Sequence, residues 1–183
     1  INFPQKLGEV LKTGKQIPFF QSIKSALPLV PLRRLNLSLK NLKEFPWWIL
    51  EMTQLIELNL LGNQISKIPN EISNLINLEV LNLNSNVLTE IPESLGNLAK
   101  LEKLQLDNNQ IEVIPASLGK LENLQWLCLE GNNVEFLPET LNGLKSLSWL
   151  SIEKTPLGER HKIYHGMYMS VKDPIFQKLL KDD

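Results

Sequence analysis

The chain has 183 residues, of which 43% are hydrophobic and 21% are charged, and its formal net charge is −1. This length and apolar content suffice for one domain with a sizeable core. The near-neutral charge offers no overall basic field to nucleic acid, and no apolar run is long enough to span a membrane. We therefore expect neither a nucleic-acid partner nor membrane insertion.

The first 31 residues follow no fixed period. Their apolar residues have spacings compatible with two short amphipathic helices, the second bounded by Pro18 and Pro28. We interpret residues 1–31 as an N-terminal cap that covers the open end of the segment behind it. Trp47 and Trp48, which follow in that segment, are expected to pack beneath this cap.

Residues 32–157 repeat with a fixed period. Six leucines begin successive units, each 23 residues after the last: Leu32, Leu55, Leu78, Leu101, Leu124 and Leu147. Such a period indicates stacked units that bury their apolar sides only against their neighbours. We count this leucine as position 1 of each unit. Positions 4 and 6 are then apolar as well, and position 15 is proline in the first five units.

Each recurring position predicts a local structure. The alternation over positions 1 to 6 predicts a short strand with one buried face, and successive strands would stack in parallel. The proline at position 15 suits the start of a short helix or 3₁₀ segment on the opposite side. Position 9, where the chain must leave the strand, is asparagine in the four central units: Asn63, Asn86, Asn109 and Asn132. We expect these four to form a structural ladder, bonding backbone groups of their own turn and of the next coil.

The pattern LxxLxLxxNxLxxLPxxLxxLxx resembles the leucine-rich repeat, with five full repeats and a partial sixth over residues 32–157. Lys40 and Thr155 replace the asparagine in the two end units. The resemblance implies an α/β solenoid shaped as a curved horseshoe, with a parallel sheet on the concave side and short helices or 3₁₀ turns on the convex side. Residues 158–183 would form a C-terminal cap, so that residues 1–183 make a single domain with helical caps.

The concave side is the expected binding surface, because partners of repeat proteins dock on such extended faces. Positions 2, 3, 5 and 7 of each unit would face solvent there. Trp126 and Trp149 occupy position 3 of neighbouring strands. An exposed tryptophan on a polar face is typical of a binding hot spot. The alternative is that the C-terminal cap folds over Trp149 and that the pair is structural.

Position 7 carries a column of like charges, Asp107, Glu130 and Glu153. Like charges on adjacent strands destabilise a sheet, which hints at a basic partner. The alternative is a solvated face that Lys103 and Lys154 partly neutralise. The predicted partner-binding residues are therefore Trp126, Trp149, Asp107, Glu130, Glu153 and Lys103.

Catalytic and metal-binding motifs were sought along the whole sequence. Cys128 is the single cysteine, and the two histidines, His161 and His165, lie in the predicted C-terminal cap. A histidine pair at this spacing can ligate zinc, but HExxH is absent and no further ligands are evident. GxGxxG, GxxxxGK and GxSxG are also absent. We expect no enzyme activity, no cofactor and no metal site.

The cysteine content bears on the compartment. Extracellular animal proteins of this repeat family usually carry paired-cysteine caps, which this chain lacks. It is more similar to intracellular 23-residue repeat proteins and to secreted bacterial ones, including short spirochaete proteins. The first residue is Ile1, so we expect that an original start has been lost. We favour a secreted or surface bacterial module that binds a host or envelope protein; the alternatives are an intracellular scaffold or regulatory subunit, and an enzyme that uses Cys128.

Overall fold

The computed structural model describes residues 32–163, 165–168 and 170–181, so the expected cap at residues 1–31 lies outside the described part. Seven strands form one open sheet in chain order. The first six are parallel, and β7 pairs antiparallel with β6. The strands are β1 (Arg34–Asn36), β2 (Glu57–Asn59), β3 (Val80–Asn82), β4 (Lys103–Gln105), β5 (Trp126–Cys128), β6 (Trp149–Ser151) and β7 (Met167–Tyr168).

The repeat sets the register of the parallel strands. The middle residue of each is the leucine at position 4, which lies beside its equivalent in the next unit: Leu35, Leu58, Leu81, Leu104, Leu127 and Leu150. All six side chains are buried and belong to one continuous apolar core. Burying this row stabilises the fold, since a fully buried leucine contributes about 1.5–3 kcal/mol relative to an exposed one.

Five 3₁₀ helices run on the opposite side of the core from the strands: Trp47–Glu51, Asn70–Asn74, Glu93–Asn97, Ala116–Lys120 and Glu139–Gly143. In each, the proline at position 15 immediately precedes the first helical residue in an extended conformation. Its carbonyl accepts the first helical hydrogen bond, as in Ile72 N to Pro69 O at 3.1 Å. The prolines thus lie one residue before these helices, whereas the sequence pattern placed them inside the first turn.

Gly119 lets two of these helices approach closely. A Cβ on Gly119 would lie 2.0 Å from the backbone oxygen of Thr140 in the neighbouring helix. Only a residue without a side chain fits this spacing.

The four position-9 asparagines bond backbone in two coils. Asn109 is typical: its Nδ2 donates to Leu106 O of its own turn at 2.9 Å and to Leu83 O at 3.0 Å, while Oδ1 accepts from Leu88 N at 3.0 Å. Leu83 and Leu88 belong to the preceding coil, so the expectation that the next coil is bonded was wrong. The side chain must reach backward because the preceding turn is the one that exposes an unpaired N–H beside it.

The turn off each strand requires a left-handed residue at position 8. All six residues there have positive φ: Leu39 (56°), Gly62 (66°), Ser85 (54°), Asn108 (55°), Gly131 (64°) and Lys154 (53°). Glycine adopts this conformation freely, whereas other residues lose about 1–2 kcal/mol. Only two of the six residues are glycine, so residue type alone does not reveal this requirement.

The C-terminal segment contributes to the same core. Thr155 accepts a hydrogen bond from Gly158 N at 2.9 Å and so caps helix α1 (Pro156–Arg160). Asp173 caps helix α2 (Pro174–Leu179) by accepting a hydrogen bond from Ile175 N. The α2 residues Phe176 and Leu179 are buried in the core. Within the described residues, no helix has the length and apolar character needed to cross a membrane.

The two adjacent tryptophans near the N-terminal end differ in environment. Trp48 is 6% exposed and packs in the core, whereas Trp47 is 46% exposed. The expectation that both pack beneath the N-terminal cap concerns residues 1–31, which lie outside the described part of the chain, so it stays a prediction. The two residues are consecutive in a short 3₁₀ helix, so their side chains leave it in different directions.

Candidate functional site

The candidate surface is the side of β1–β6 turned away from the core, which we call the strand face; it presents positions 2, 3, 5 and 7 of each unit. At its N-terminal end, Arg33, Arg34 and Asn36 are exposed, and Arg34 Nε lies 3.3 Å from Glu57 Oε2 in an exposed ion pair. Its C-terminal end is more covered, because Cys128 and Ser151 at position 5 are buried. The expectation that positions 2, 3, 5 and 7 all face solvent therefore fails toward the C-terminal end.

Two tryptophans and a lysine form a cluster across three adjacent strands. Lys103, Trp126 and Trp149 are direct neighbours in the sheet register. The two indole rings stack with centroids 5.6 Å apart and planes inclined by 28°. Lys103 Nζ lies 4.9 Å from the centroid of the Trp126 ring, within range of a cation–π contact. Both tryptophans are only partly buried, so aromatic surface remains exposed on a largely polar face.

The C-terminal segment packs against Trp149. A Cβ on Gly166 would lie 2.2 Å from Cζ2 of the Trp149 ring, so the backbone there lies flat against the indole. The backbone of Trp149 also pairs with Tyr168 in β7. Trp149 is thus partly structural, the alternative raised by the sequence. Trp126 lies one strand further from β7, and its ring is the more independent member of the pair.

The Asp107 carboxylate is an internal hydrogen-bond acceptor. Oδ1 accepts from Glu130 N at 2.9 Å and from Ser151 Oγ at 3.3 Å, and Oδ2 accepts from Asn84 Nδ2 at 3.1 Å. Burial raises the pKa of the Asp107 carboxyl, and these hydrogen bonds partly oppose that rise. Most of its bonding capacity is used within the chain, which leaves little for a partner.

Position 7 carries a second hydrogen-bonded row that sequence reasoning missed. Asn84 Oδ1 accepts from Asp107 N at 2.8 Å, and Asp107 Oδ1 in turn accepts from Glu130 N. Asn84 was expected to point into solvent, but it is partly buried and bonded to its neighbour. The recurrence of a short acceptor side chain, Asn and then Asp, is the sequence signal that could have revealed this row.

The other two carboxylates of the column differ from each other. Glu130 Oε1 lies 2.5 Å from Lys154 Nζ in a partly exposed ion pair. The hydrogen bond from Lys154 and the charge of Glu130 raise the pKa of the Lys154 ammonium. Glu153 is only 9% exposed, contrary to its predicted solvent position, and its Oε2 is buried with no hydrogen-bond partner among the described residues.

Glu153 lies at a cavity between the last coil and the C-terminal segment. The cavity has a volume of about 420 Å³. Its lining residues come from the last two units and from the chain that follows them: Glu130, Glu153, Lys154, Glu159, Ile163 and His165. The non-repeating C-terminal segment closes over this end of the column and buries Glu153, which a pattern of repeats cannot foresee.

The residues considered for catalysis or metal binding are not assembled into a site. Burial, reinforced by the charge of Asp107, raises the pKa of the Cys128 thiol to about 12, so it is not a thiolate at neutral pH. Helix α1 ends at Arg160, so His161 and His165 do not share a helix face as their spacing suggested. The described residues hold no group of three or more His, Cys, Asp or Glu placed to bind a metal ion.

Known proteins share this architecture. The family model described as "Leucine rich repeat" matches residues 53–111 and 99–157, which together span more than half of the chain. A comparison with curated proteins found no match. Among solved structures, a leucine-rich repeat protein of Leptospira interrogans is similar, with a TM-score of 0.65 and 36% identity over 66% of this chain and 31% of that chain.

Two plant receptor structures are also similar. One is the repeat ectodomain of the membrane receptor kinase GASSHO1/SCHENGEN3 from Arabidopsis thaliana in complex with CASPARIAN STRIP INTEGRITY FACTOR 2. Its TM-score is 0.62, with 34% identity over 70% of this chain and 17% of that chain. The other is the plant peptide hormone receptor RGFR1 in complex with RGF2, with a TM-score of 0.61 and 37% identity over 67% of this chain and 20% of that chain. This chain spans less than a third of the length of each of these three.

Proposed function

Since the chain belongs to the leucine-rich repeat family, we propose that it is a non-catalytic protein-recognition module whose partner docks on the strand face. The observation that carries this proposal is the stacked pair of Trp126 and Trp149, with Lys103 over the Trp126 ring. Partly exposed aromatic rings on a polar surface are the groups that gain most from burial by a partner.

The comparisons support a binding role. Two plant receptors similar to this chain over about two thirds of its length are complexes with a bound partner. Repeat solenoids present extended surfaces built from adjacent units, and such surfaces suit elongated or peptide-like partners. A protein or peptide partner therefore agrees with both the family and the exposed cluster.

The charges of the strand face would orient the partner. Arg33 and Arg34 are exposed at the first strand, while Glu130 lies at the fifth unit. A partner with complementary charges would be steered into one direction along the sheet, which affects the association rate more than the affinity. The stacked rings would supply most of the affinity and the charges most of the orientation.

An enzymatic role for Cys128 has little physical support. A nucleophilic cysteine requires a lowered pKa or an adjacent base. The Cys128 thiol is buried, and its pKa of about 12 is shifted in the opposite direction. Asp107 and Glu153, the charges that contribute to this rise, would further disfavour a thiolate at this position.

We propose further that the module is secreted or displayed on a bacterial surface, where it binds a host or envelope protein. The 36% identity to the Leptospira interrogans protein bears on the bacterial origin in this proposal and not on the compartment. Fractionating cells of the source organism and probing each fraction with an antibody tests this. Confinement to the cytoplasm would instead favour an intracellular scaffold or regulatory subunit.

The binding surface is tested by selecting partners with the full chain and comparing variants by surface plasmon resonance. Trp126→Ala is expected to weaken binding by about 2 kcal/mol, roughly 30-fold, mainly through faster dissociation. Glu130→Lys is expected to slow association and to change its salt dependence. Trp47→Ala removes an exposed tryptophan on the other side of the core and is the matched control. If Trp47→Ala loses binding while Trp126→Ala binds like wild type, the partner uses a different surface.

A further inference from the structure

The cavity at the C-terminal end of the strand face has the character of a binding pocket. Three of its six lining residues are glutamates: Glu130, Glu153 and Glu159. Lys154 is the one lysine among the six and lies 2.5 Å from Glu130. Glu153 and Glu159 have no ion pair within the described residues.

Glu153 gives the strongest indication that this cavity accepts a hydrogen-bond donor. The residue is 9% exposed, and its Oε2 accepts no hydrogen bond from any described residue. Leaving a buried polar atom unsatisfied costs about 1–3 kcal/mol, and more when the group is charged. Such a cost is offset when a donor enters the cavity, because a charge-assisted hydrogen bond to a carboxylate is stronger than a neutral one.

The chain itself shows which chemistry the glutamates attract. Lys154 places its ammonium on Glu130, although its backbone has a left-handed φ of 53° that disfavours a lysine. An ammonium or guanidinium from another molecule would find the same kind of acceptor in Glu153 and Glu159. The cavity therefore favours a cation that carries several N–H donors.

A side-chain cation fits this site better than a metal ion. Divalent metals require several ligand atoms to converge within about 2.0–2.6 Å of one point. The described residues contain no group of three or more such ligands in a metal-binding arrangement. A guanidinium spreads five donors over a plane and forms hydrogen bonds of about 2.7–2.9 Å to separate carboxylates.

We propose that this cavity binds a basic side chain of the partner, an arginine or lysine, with Glu153 and Glu159 as its acceptors. The inference rests on the proposed function, since the basic group belongs to the protein that docks on the strand face. Glu153 lies in the turn that follows β6, so the cavity adjoins the C-terminal end of the strand face, where Trp149 lies.

The test titrates the ¹⁵N-labelled full chain with Nα-acetyl-arginine amide and follows the backbone amide resonances. Shifts are expected to centre on Glu153, Glu159 and His165. The neutral citrulline analogue should produce none of them. Glu153→Gln should weaken binding about tenfold, because it removes the charge from one charge-assisted hydrogen bond. Glu112→Gln, an exposed glutamate outside the cavity, should bind like wild type.

Two further variants keep the test decisive. If Glu153→Gln does not fold, Glu159→Gln at the surface of α1 is expected to show the same loss. Lys154→Met should tighten binding, since it frees Glu130 from its internal partner. Equal shifts with the citrulline analogue, or unchanged affinity in the foldable glutamate variants, would overturn the proposal. Saturation by Mg²⁺, Ca²⁺ or Zn²⁺ with no response to the arginine amide would overturn it in favour of a metal site.

The probe distinguishes this inference from the proposed function. It is titrated without any partner protein, so Trp126→Ala should leave its affinity unchanged while partner binding falls. If the probe binds and Trp126→Ala still binds the partner like wild type, the proposed docking surface is refuted and the proposed cavity site is retained. If Trp126→Ala loses partner binding and the chain does not respond to the probe, the proposed docking surface is retained and the proposed cavity site is refuted.

Discussion

The asparagine ladder makes a prediction whose magnitude follows from the hydrogen bonds. Asn109→Ala removes the one acceptor, among the described residues, for Leu88 N. An unsatisfied buried N–H costs about 1–3 kcal/mol. Leu83 O and Leu106 O keep a second donor, because Asn86 and Asn132 also bond them at 3.0 and 2.9 Å. The single substitution should therefore cost about 1–3 kcal/mol rather than the sum of the four hydrogen bonds that it removes.

Carbonyl sharing predicts coupling between neighbouring ladder positions. Leu83 O accepts from both Asn86 and Asn109, so only the double substitution to alanine leaves it without a donor. The double variant should lose about 1 kcal/mol more than the sum of the single variants. Asn63 and Asn132 share no carbonyl, so their double substitution should be additive and serves as the matched control.

Urea denaturation of the single and double variants measures the cost of Asn109→Ala and the coupling between Asn86 and Asn109. The dependence of the unfolding free energy on urea concentration should be the same for all variants. Asn84→Ala is a comparison at position 7. It loses two bonds to Asp107 at a partly exposed site where water can replace them, so about 0.5–1.5 kcal/mol is expected. Additive behaviour of Asn86 and Asn109, or a larger midpoint shift for Asn84 than for Asn109, would refute this reasoning.

Three further outcomes are expected from the backbone and the buried thiol. Ser85→Gly should stabilise the fold by about 0.5–1 kcal/mol, since Ser85 has a φ of 54° that glycine adopts more readily. Ser66→Gly, at an exposed site without positive φ, should not stabilise the fold and is the control. Thermal melts compare the two variants. Gly119→Ala should lower the free energy of unfolding by at least about 2 kcal/mol, because its Cβ would strike the Thr140 carbonyl oxygen. Wild-type stability would show that the helices can separate freely. Cys128 should react with iodoacetamide at pH 8 far more slowly than a peptide thiol, and rapid labelling in the folded chain would contradict its raised pKa.

The periodic part of the fold could be predicted because its contacts recur between adjacent units. Leucine spacing fixed which residues pair across strands, and the buried row from Leu35 to Leu150 follows directly from it. Strand and 3₁₀ positions follow for the same reason. The left-handed position 8 could not be predicted, because Leu39 and Lys154 there have no preference for positive φ.

The candidate site was less predictable because it joins repeating and non-repeating structure. The repeat placed Trp126 beside Trp149, since equivalent positions of adjacent units are neighbours. It could not show that Gly166 packs on Trp149 or that Glu153 is buried, because both depend on the segment after the last repeat. The binding role of these residues remains a prediction from their chemistry.

Hydroxyl-radical footprinting of the complex with its partner tests the strand-face assignment most directly, since oxidation of a tryptophan reports the accessibility of its ring. The account predicts that the partner lowers the oxidation rate of Trp126 and leaves that of Trp47 unchanged. Both rings are accessible in the free chain, Trp47 at 46% and Trp126 partly, so each provides a measurable starting rate. Protection of Trp47 with no change at Trp126 would contradict the assignment of the binding surface.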